Sequence, residues 1–254
     1  MQELIAHPLF NHLLLIVVGV VAGTLNVLAG GGSFLTLPTL IFLGLPPSVA
    51  NGTNRVGIFL QNVSAVASFE RQGIRETGHA RWTALPATVG GALGAWLSLS
   101  IGDRAFQQIL SFLMVVVSLW TLWKPAATEP EGDAERTLAP WTMAGGFFLA
   151  GIYGGFVQAG VGFLILAVTT AAGLDLVRGN ATKVLSILCL TGLALGVFAW
   201  QGRVDWILGL TLAVGTMVGG ALGARLTVLK GHRWVRRIVT ATVVIFAVKL
   251  WFSA

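Results

Sequence analysis

Long apolar runs separated by short polar breaks cover almost the whole chain. Most runs approach the roughly 20 residues that an α-helix needs to cross the apolar core of a bilayer. Five runs lie in each half, at positions 13–29, 34–45, 49–69, 82–99, 106–123, 141–157, 163–172, 181–200, 206–226 and 234–252. The pattern predicts an all-α polytopic membrane protein with about five transmembrane segments in each half.

The two halves repeat each other at an offset of about 129 residues. The polar triplet 51–53, Asn-Gly-Thr, falls on Asn-Ala-Thr at 180–182, and the run at 90–95 is identical to that at 219–224. Polar matches at one common offset argue against chance similarity between apolar sequences. We expect a first transmembrane repeat at 1–123, an acidic linker at 124–140 and a second transmembrane repeat at 141–254.

Composition and charge support a membrane environment. Hydrophobic residues make up 55% of the chain and charged residues only 10%, whereas soluble domains carry about 25% charged residues. The net charge of +6 does not indicate a nucleic-acid partner, because the basic residues lie at the ends of apolar runs. The lipid bilayer is the expected surrounding, and Cys189, inside an apolar run, is expected to be buried.

The distribution of Lys and Arg predicts the orientation. If every segment crosses, one side receives Arg71, Arg75, Arg81, Lys124, Arg136, Arg178, Lys230, Arg233, Arg236 and Arg237. The other side receives Arg104, Arg203 and Lys249. We therefore expect a multi-pass protein of the cell (inner) membrane with both termini outside the cytoplasm and the linker inside it.

An odd number of crossings in each half makes the second repeat inverted with respect to the first. If the short second and seventh segments instead turned back, the repeats would be parallel. That alternative is disfavoured, because it would export the basic cluster at 230–237.

The second segment of each half is too short to span, and a glycine-rich stretch precedes it. We interpret both as short broken helices, at 34–45 after Gly30-Gly31-Gly32-Ser33 and at 163–172 after Gln158-Ala159-Gly160-Val161-Gly162. Interrupted segments at matching positions of two repeats point to a transport site, and the start of a helix suits an anion. The alternative is that these glycines only permit tight helix packing.

A second repeated pattern opens the third and eighth segments. Asn51 and Thr53 match Asn180 and Thr182 at the common offset. Each pair is followed by a cation at a neighbouring position, Arg55 after Asn54 in the first half and Lys183 in the second. The cations can attract an anion while Asn and Thr donate hydrogen bonds. The same residues could instead cap their helices, and the cations could extend to the membrane surface.

Together these patterns predict one substrate-binding site near mid-membrane, between the repeats. Its predicted residues are Gly31, Gly32, Ser33, Asn51, Thr53, Asn54, Arg55, Gln158, Gly160, Gly162, Asn180, Thr182 and Lys183. No carboxylate lies at the centre of a predicted span, so an intramembrane Asp or Glu proton relay is not expected. No metal-ligand cluster or nucleophile motif is present, and an enzyme is therefore the least favoured reading.

The order of these motifs resembles the TauE/SafE sulfite exporter family, also called TSUP. The resemblance rests on 30–38 (Gly-Gly-Gly-Ser-Phe-Leu-x-Leu-Pro), 50–53 (Ala-Asn-Gly-Thr), Gln72-Gly73 and the glycines at 90–95. It covers nearly the whole chain except the linker. In the second half the glycine cluster is thinner, and Ala167 stands where Pro38 would be matched. The resemblance implies a membrane carrier for sulfite, sulfonates or other organosulfur anions, with no bound cofactor.

We therefore expect an anion carrier that works by alternating access between its repeats, with a small anionic substrate as its partner. An anion channel remains an alternative, since the sequence does not exclude a continuous pore. A membrane assembly scaffold without transport is the alternative from another class. Nothing in the sequence predicts an oligomeric state.

Overall fold

The computed structural model describes residues 8–75, 80–123 and 138–253. Within these ranges the chain forms helices and no strands, which confirms the all-α prediction. The nine helices of these ranges are α1 (Pro8–Leu28), α2 (Ser33–Phe42), α3 (Pro47–Arg71), α4 (Ala80–Leu99), α5 (Asp103–Trp123), α6 (Pro140–Phe156), α7 (Val161–Ala171), α8 (Leu176–Trp200) and α9 (Trp206–Ser253). Most of the predicted linker at 124–140 lies outside the described residues.

Prolines and glycines set several helix boundaries. α3 begins at Pro47 and α6 at Pro140, where the missing N–H removes no helical hydrogen bond. Gly44 and Gly73, before and after α3, have φ angles of +96° and +81°. Glycine adopts these angles without the steric cost that a side chain brings, so the chain can turn at both ends of α3.

The last two predicted segments, 206–226 and 234–252, lie on the single helix α9. The stretch between them, 227–233, contains no proline, and its weakest helix former is Gly231. A glycine lowers helix stability without ending a helix. The ten-segment count therefore stays a prediction.

Three helical stretches of the described residues are long and apolar enough to cross a membrane: Leu9–Leu28, Leu176–Trp200 and Trp206–Leu229. The shorter apolar helices Ser33–Phe42 and Val161–Ala171 confirm that the second segment of each half is short. Cys189 on α8 is exposed, so the prediction of a buried cysteine is wrong. An apolar face exposed on such a helix is available to lipid.

Polar contacts join several helix starts at what we call the first end of the bundle. The backbone N–H of Ser48 donates to Asp103 Oδ1 at 3.0 Å, which joins the starts of α3 and α5. The N–H of Asp205 donates to Thr53 Oγ1 at 2.9 Å, which brings the start of α9 to the same place.

The opposite, second end holds the starts of α4 and α6. There the rings of Trp82 and Trp141 meet edge to face with 4.8 Å between their centroids. Met143 of α6 packs in one cluster with Ala172 and Leu174, which follow α7. The end of α7 therefore also lies at the second end.

Each short helix returns toward the end at which the preceding long helix began. α1 begins beside α9 near the first end, with His12 Nδ1 3.0 Å from Thr211 Oγ1, and α2 leads back to the start of α3. The hairpin of α1 and α2 thus opens at the first end, and that of α6 and α7 at the second. With ten residues, α2 is about 15 Å long, half the thickness of a bilayer core. Because a hairpin makes two opposite passes, α3 begins at the first end, and the starts of α4 and α6 lie with the end of α7 at the second end.

The identical glycine runs at 90–95 and 219–224 lie where long helices pack backbone to backbone. A Cβ on Gly94 would lie 2.0 Å from Ile152 O of α6, and one on Gly219 would lie 2.3 Å from Val20 O of α1. Only glycine fits at such distances, which is typical of helix pairs that associate in membranes.

Helix bounds in the two halves correspond at the offset found in the sequence. α3 and α8 both contain 25 residues, and their first residues, Pro47 and Leu176, are 129 positions apart. Positive φ angles recur at Gly44 and Gly173 and again at Gly73 and Gly202. The sequence similarity is thus accompanied by similar backbone turns.

Candidate functional site

The glycine-rich loops that precede the short helices α2 and α7 cross each other inside the protein; we call them the two broken loops. Gly30 follows α1 with a φ angle of +96°, and a Cβ on it would lie 2.4 Å from Gly162 Cα. A Cβ on Gly162, at the start of α7, would in turn lie 2.3 Å from Gly30 Cα. The halves therefore meet through bare backbone at the two positions where the sequence predicted breaks.

The predicted glycines around this crossing are all buried. Gly31 faces the Phe163 ring, and Gly32 lies so close to Ala22 O that a Cβ would be 2.1 Å away. Close packing is therefore one role of these glycines, as the packing alternative proposed. Ser33, which begins α2, is 3% exposed. Among the described residues no hydrogen-bond acceptor is found for the N–H groups of Gly31, Gly32 and Ser33.

Arg55 is completely buried and holds the C-terminal end of α6. Its Nη1 donates to Gly154 O at 3.2 Å and to Gln158 Oε1 at 2.9 Å, and its Nη2 donates to Gly155 O. The guanidinium carbon lies 4.6 Å from the centroid of the Phe198 ring. The last carbonyls of a helix carry partial negative charge, so they compensate Arg55, whose partners in the described part of the chain include no carboxylate.

Lys183, in the second half, binds the C-terminal end of α1 in the first half. Its Nζ donates to Asn26 O at 3.1 Å, to Val27 O at 2.6 Å and to Asn180 Oδ1 at 2.6 Å. Lys183 is also completely buried. Arg55 of the first half and Lys183 of the second thus each bind the end of the first long helix of the other half.

The two cations lie at different levels of the bundle. The Arg55 guanidinium stacks on Phe198, which is 15 positions after Lys183 (183 to 198) on the same helix. At about 1.5 Å per residue this separates the two levels by roughly 20 Å. The sequence prediction placed Arg55 and Lys183 in one site. The structure instead holds the two cations at separate levels of the bundle.

Gln158 has a strained backbone and two side-chain partners. It has a φ angle of +68°, which is uncommon for a residue with a side chain. Its Oε1 accepts from Arg55, and its Nε2 donates to Thr191 Oγ1 at 3.1 Å. Gly160, two positions later, has a φ angle of +78° and leads into α7. The loop thus turns through two residues with positive φ angles, and the hydrogen bonds of the Gln158 side chain hold it in place.

The remaining predicted polar side chains are buried, and several are incompletely paired. Asn51 donates to Phe156 O at 2.9 Å, and Asn54 Oδ1 accepts from Thr36 Oγ1 at 2.6 Å. Asn180 donates to Leu176 O at 3.0 Å. Buried atoms without a partner in the described part of the chain include Asn51 Oδ1, Asn54 Nδ2, Arg55 Nε and Thr182 Oγ1. Unpaired buried polar groups are costly, so those at this site call for an explanation.

Four further polar residues belong to this region and were missed as site residues in the sequence. Asn26 Nδ2 donates to Gln61 Oε1 at 3.3 Å beside Lys183, and Thr36 and Thr191 bind predicted residues. Each is a polar residue inside an apolar run, which is the signal that could have identified it. Gln61 has no polar counterpart in the second half, because Leu190 stands at the matching position.

Carboxylates lie at helix ends, as predicted for the acids that the structure describes. Asp103 begins α5, Asp175 caps α8 and Asp205 precedes α9. Within the described ranges no three His, Cys, Asp or Glu side chains form a group that could hold a metal. A cavity of about 280 Å³ lies at the second end, lined by residues such as Trp82 and Met143, and contains none of the predicted site residues.

Comparisons with known proteins agree on a membrane transporter. The family model described as Sulfite exporter TauE/SafE matches residues 15–250. A probable membrane transporter protein, ORF9, of Sinorhizobium sp is 30% identical over 252 residues, covering 98% of this chain and 95% of the relative. The probable membrane transporter protein YfcA of Escherichia coli K12 is 29% identical, covering 93% and 88%. YunE of Bacillus subtilis, named likewise, is 24% identical, covering 92% of each chain. No solved structure matches the chain significantly.

Proposed function

The chain belongs to the Sulfite exporter TauE/SafE family of membrane transporters, and on this premise we propose that it is a carrier for a small sulfur oxyanion. Sulfite and organosulfonates are the proposed substrates, and the cell (inner) membrane is the proposed location. The single observation that carries the proposal is the crossing of two broken loops, with buried unpaired donors and a cation beside it.

The chemistry around the crossing favours an anion. Arg55 Nε and Asn54 Nδ2 are buried donors without acceptors in the described residues, and no acceptor is found there for the N–H groups of Gly31, Gly32 and Ser33. Donors and positive charge without a nearby carboxylate can bind an anion, whereas a metal cation needs oxygen or nitrogen lone pairs. We propose that the site is formed by those residues named from the sequence that lie around Arg55 and the crossing, with Arg55 as its cation; Lys183 and its partner Asn180 lie at another level of the bundle and are not part of it.

The proposed mechanism is alternating access between two inverted repeats. It is supported by the matching bounds of α3 and α8 and by hairpins that open at opposite ends. The cation contacts between halves give such movement specific bonds to break and remake. We propose that the second end, near Arg71, Arg75, Arg81 and Arg178, faces the cytoplasm, because basic residues favour that side.

Flux measurements in proteoliposomes test this function. We expect saturable uptake of sulfite or of a sulfonate such as ethanesulfonate, and trans-stimulation when unlabelled substrate is loaded inside. Unsaturable flux without trans-stimulation would support the channel instead. Complete absence of flux for the whole panel of sulfur oxyanions, in protein shown to be folded, would contradict the proposal and favour a scaffold.

A further inference from the structure

The hydrogen-bond capacity of Lys183 is fully used within the protein. An ammonium group has three N–H donors. Lys183 Nζ has three acceptors at 2.6–3.1 Å: Asn26 O, Val27 O and Asn180 Oδ1. A substrate could therefore bind this group only by displacing one of these acceptors, either a carbonyl at the end of α1 or the Asn180 side chain.

The guanidinium of Arg55 is used on some of its edges and free on another. It has five N–H donors in one plane. Gly154 O and Gly155 O accept from Nη1 and Nη2, and Gln158 Oε1 accepts from Nη1. Arg55 Nε, by contrast, is buried and lacks an acceptor among the described residues. Nη2 carries two N–H groups and has Gly155 O as its one acceptor in the described part of the chain, so a second N–H of the same plane is also unused.

Arg55 is held so that this free side keeps its direction. The helix end and Gln158 fix two nitrogens, and the Phe198 ring lies 4.6 Å from the guanidinium carbon. A donor pair that is already oriented loses little freedom when a ligand binds. Two N–H donors of one guanidinium plane can also bind two oxygens of one oxyanion, whereas an ammonium group is a single point of charge.

We propose that the two buried cations have different roles: Arg55 binds two oxygens of the transported anion and selects oxyanions over halides, whereas Lys183 only fastens the end of α1. This inference rests on the proposed transport function and adds to it a basis for selectivity. Chloride is a single spherical acceptor, so two N–H groups must share one atom. It therefore gains less from the unused donors of Arg55 than sulfite, which offers a separate oxygen to each.

Reciprocal substitutions that conserve charge test the inference. The readout is the ratio of the apparent affinities for sulfite and for chloride as competitors of sulfite flux, measured in proteoliposomes for Arg55→Lys and Lys183→Arg. Arg55→Lys removes the paired donors and should lower the preference for sulfite about tenfold or more, the effect of losing one charge-assisted hydrogen bond. Lys183→Arg should change the ratio less than about twofold, whatever it does to folded yield.

An unchanged ratio in Arg55→Lys, or a large change in Lys183→Arg, would overturn the assignment. If Arg55→Lys does not fold, Gln158→Glu replaces it, since a carboxylate beside Arg55 should neutralise the cation and weaken sulfite binding more than chloride binding. An unchanged ratio in that variant would equally refute the inference. If the wild-type protein carries no sulfur oxyanion, the proposed function itself fails, and that result is distinct from a wild type that transports sulfite with altered roles for the two cations.

Discussion

Replacing Gly30 by alanine tests whether the two loops cross as described. The new Cβ would lie 2.4 Å from Gly162 backbone atoms, about 1 Å inside ordinary van der Waals contact, and the φ angle there is +96°. The positive φ costs about 1–2 kcal/mol for a residue with a side chain. Overpacking of a buried contact adds about 1–3 kcal/mol. We therefore expect Gly30→Ala to lower the free energy of unfolding by about 2–5 kcal/mol.

Other glycines of the same chain separate the two causes. Gly44 also has a φ angle of +96°, but a Cβ there would meet nothing within 4 Å. Gly44→Ala should therefore show the backbone cost of about 1–2 kcal/mol alone. Gly145 lies within α6, and a Cβ on it likewise has open space. Gly145→Ala should be neutral or stabilise by up to about 1 kcal/mol, because alanine is the better helix former.

The assay is thermal unfolding of the purified protein in detergent, with sulfite flux of the same preparations after reconstitution. For a chain of this size, about 1 kcal/mol shifts the midpoint by about 2–4 °C, so Gly30→Ala should melt roughly 4–20 °C lower than wild type. Gly44→Ala should lose roughly 2–8 °C. A Gly30→Ala variant no less stable than Gly44→Ala would refute the crossing of the loops and remove the main support for the site.

Three further predictions follow from helix ends and charges. Asp175 Oδ1 accepts from the N–H groups of Val177 and Arg178, so Asp175→Ala should cost about 1 kcal/mol of stability in thermal unfolding, whereas Asp175→Asn should not. Replacing Asp103 or Asp205 by Asn should leave uphill sulfite flux measurable, since neither lies within a span. Loss of all uphill flux in either folded variant would instead support a proton relay through that carboxylate. A cysteine introduced at Glu131 should resist a membrane-impermeant thiol reagent added to intact cells, and rapid labelling there would invert the proposed orientation.

The sequence predicted the helical elements well because apolar runs bounded by Pro and Gly have few alternative structures. Segment 49–69 corresponds to Pro47–Arg71, and the short helices were predicted at their observed places. The start of α8 was placed at 181, five residues late, because polar residues at 178–183 interrupt the apolar run. Asp175, which caps the first turn of α8, is a start signal that could have corrected this boundary.

The partners of the buried cations could not be read from the sequence. An arginine in an apolar segment suggests that an acidic side chain or a bound anion compensates its charge. Both are partners that residue types in a sequence can indicate. The acceptors found for Arg55 and Lys183 include backbone carbonyls of Gly154, Asn26 and Val27, and carbonyls are carried by every residue. Only the three-dimensional placement of the helix ends identifies which carbonyls are available. The separation of Arg55 and Lys183 along the bundle could not be predicted from the sequence either, because it also depends on where the helix ends lie in space.

The contact between Arg55 and Gly154 also has a consequence for biosynthesis, because the two residues are 99 positions apart. At translation speeds of about 5–20 residues per second, the arginine is made roughly 5–20 seconds before its acceptors. During that interval a nascent first half carries a cation in an apolar segment without the helix end that compensates it. Release of this half into lipid before the second half emerges would be costly. The insertion machinery must therefore retain the early helices, or shelter the arginine with water, until ribosomes have delivered residues 154–158.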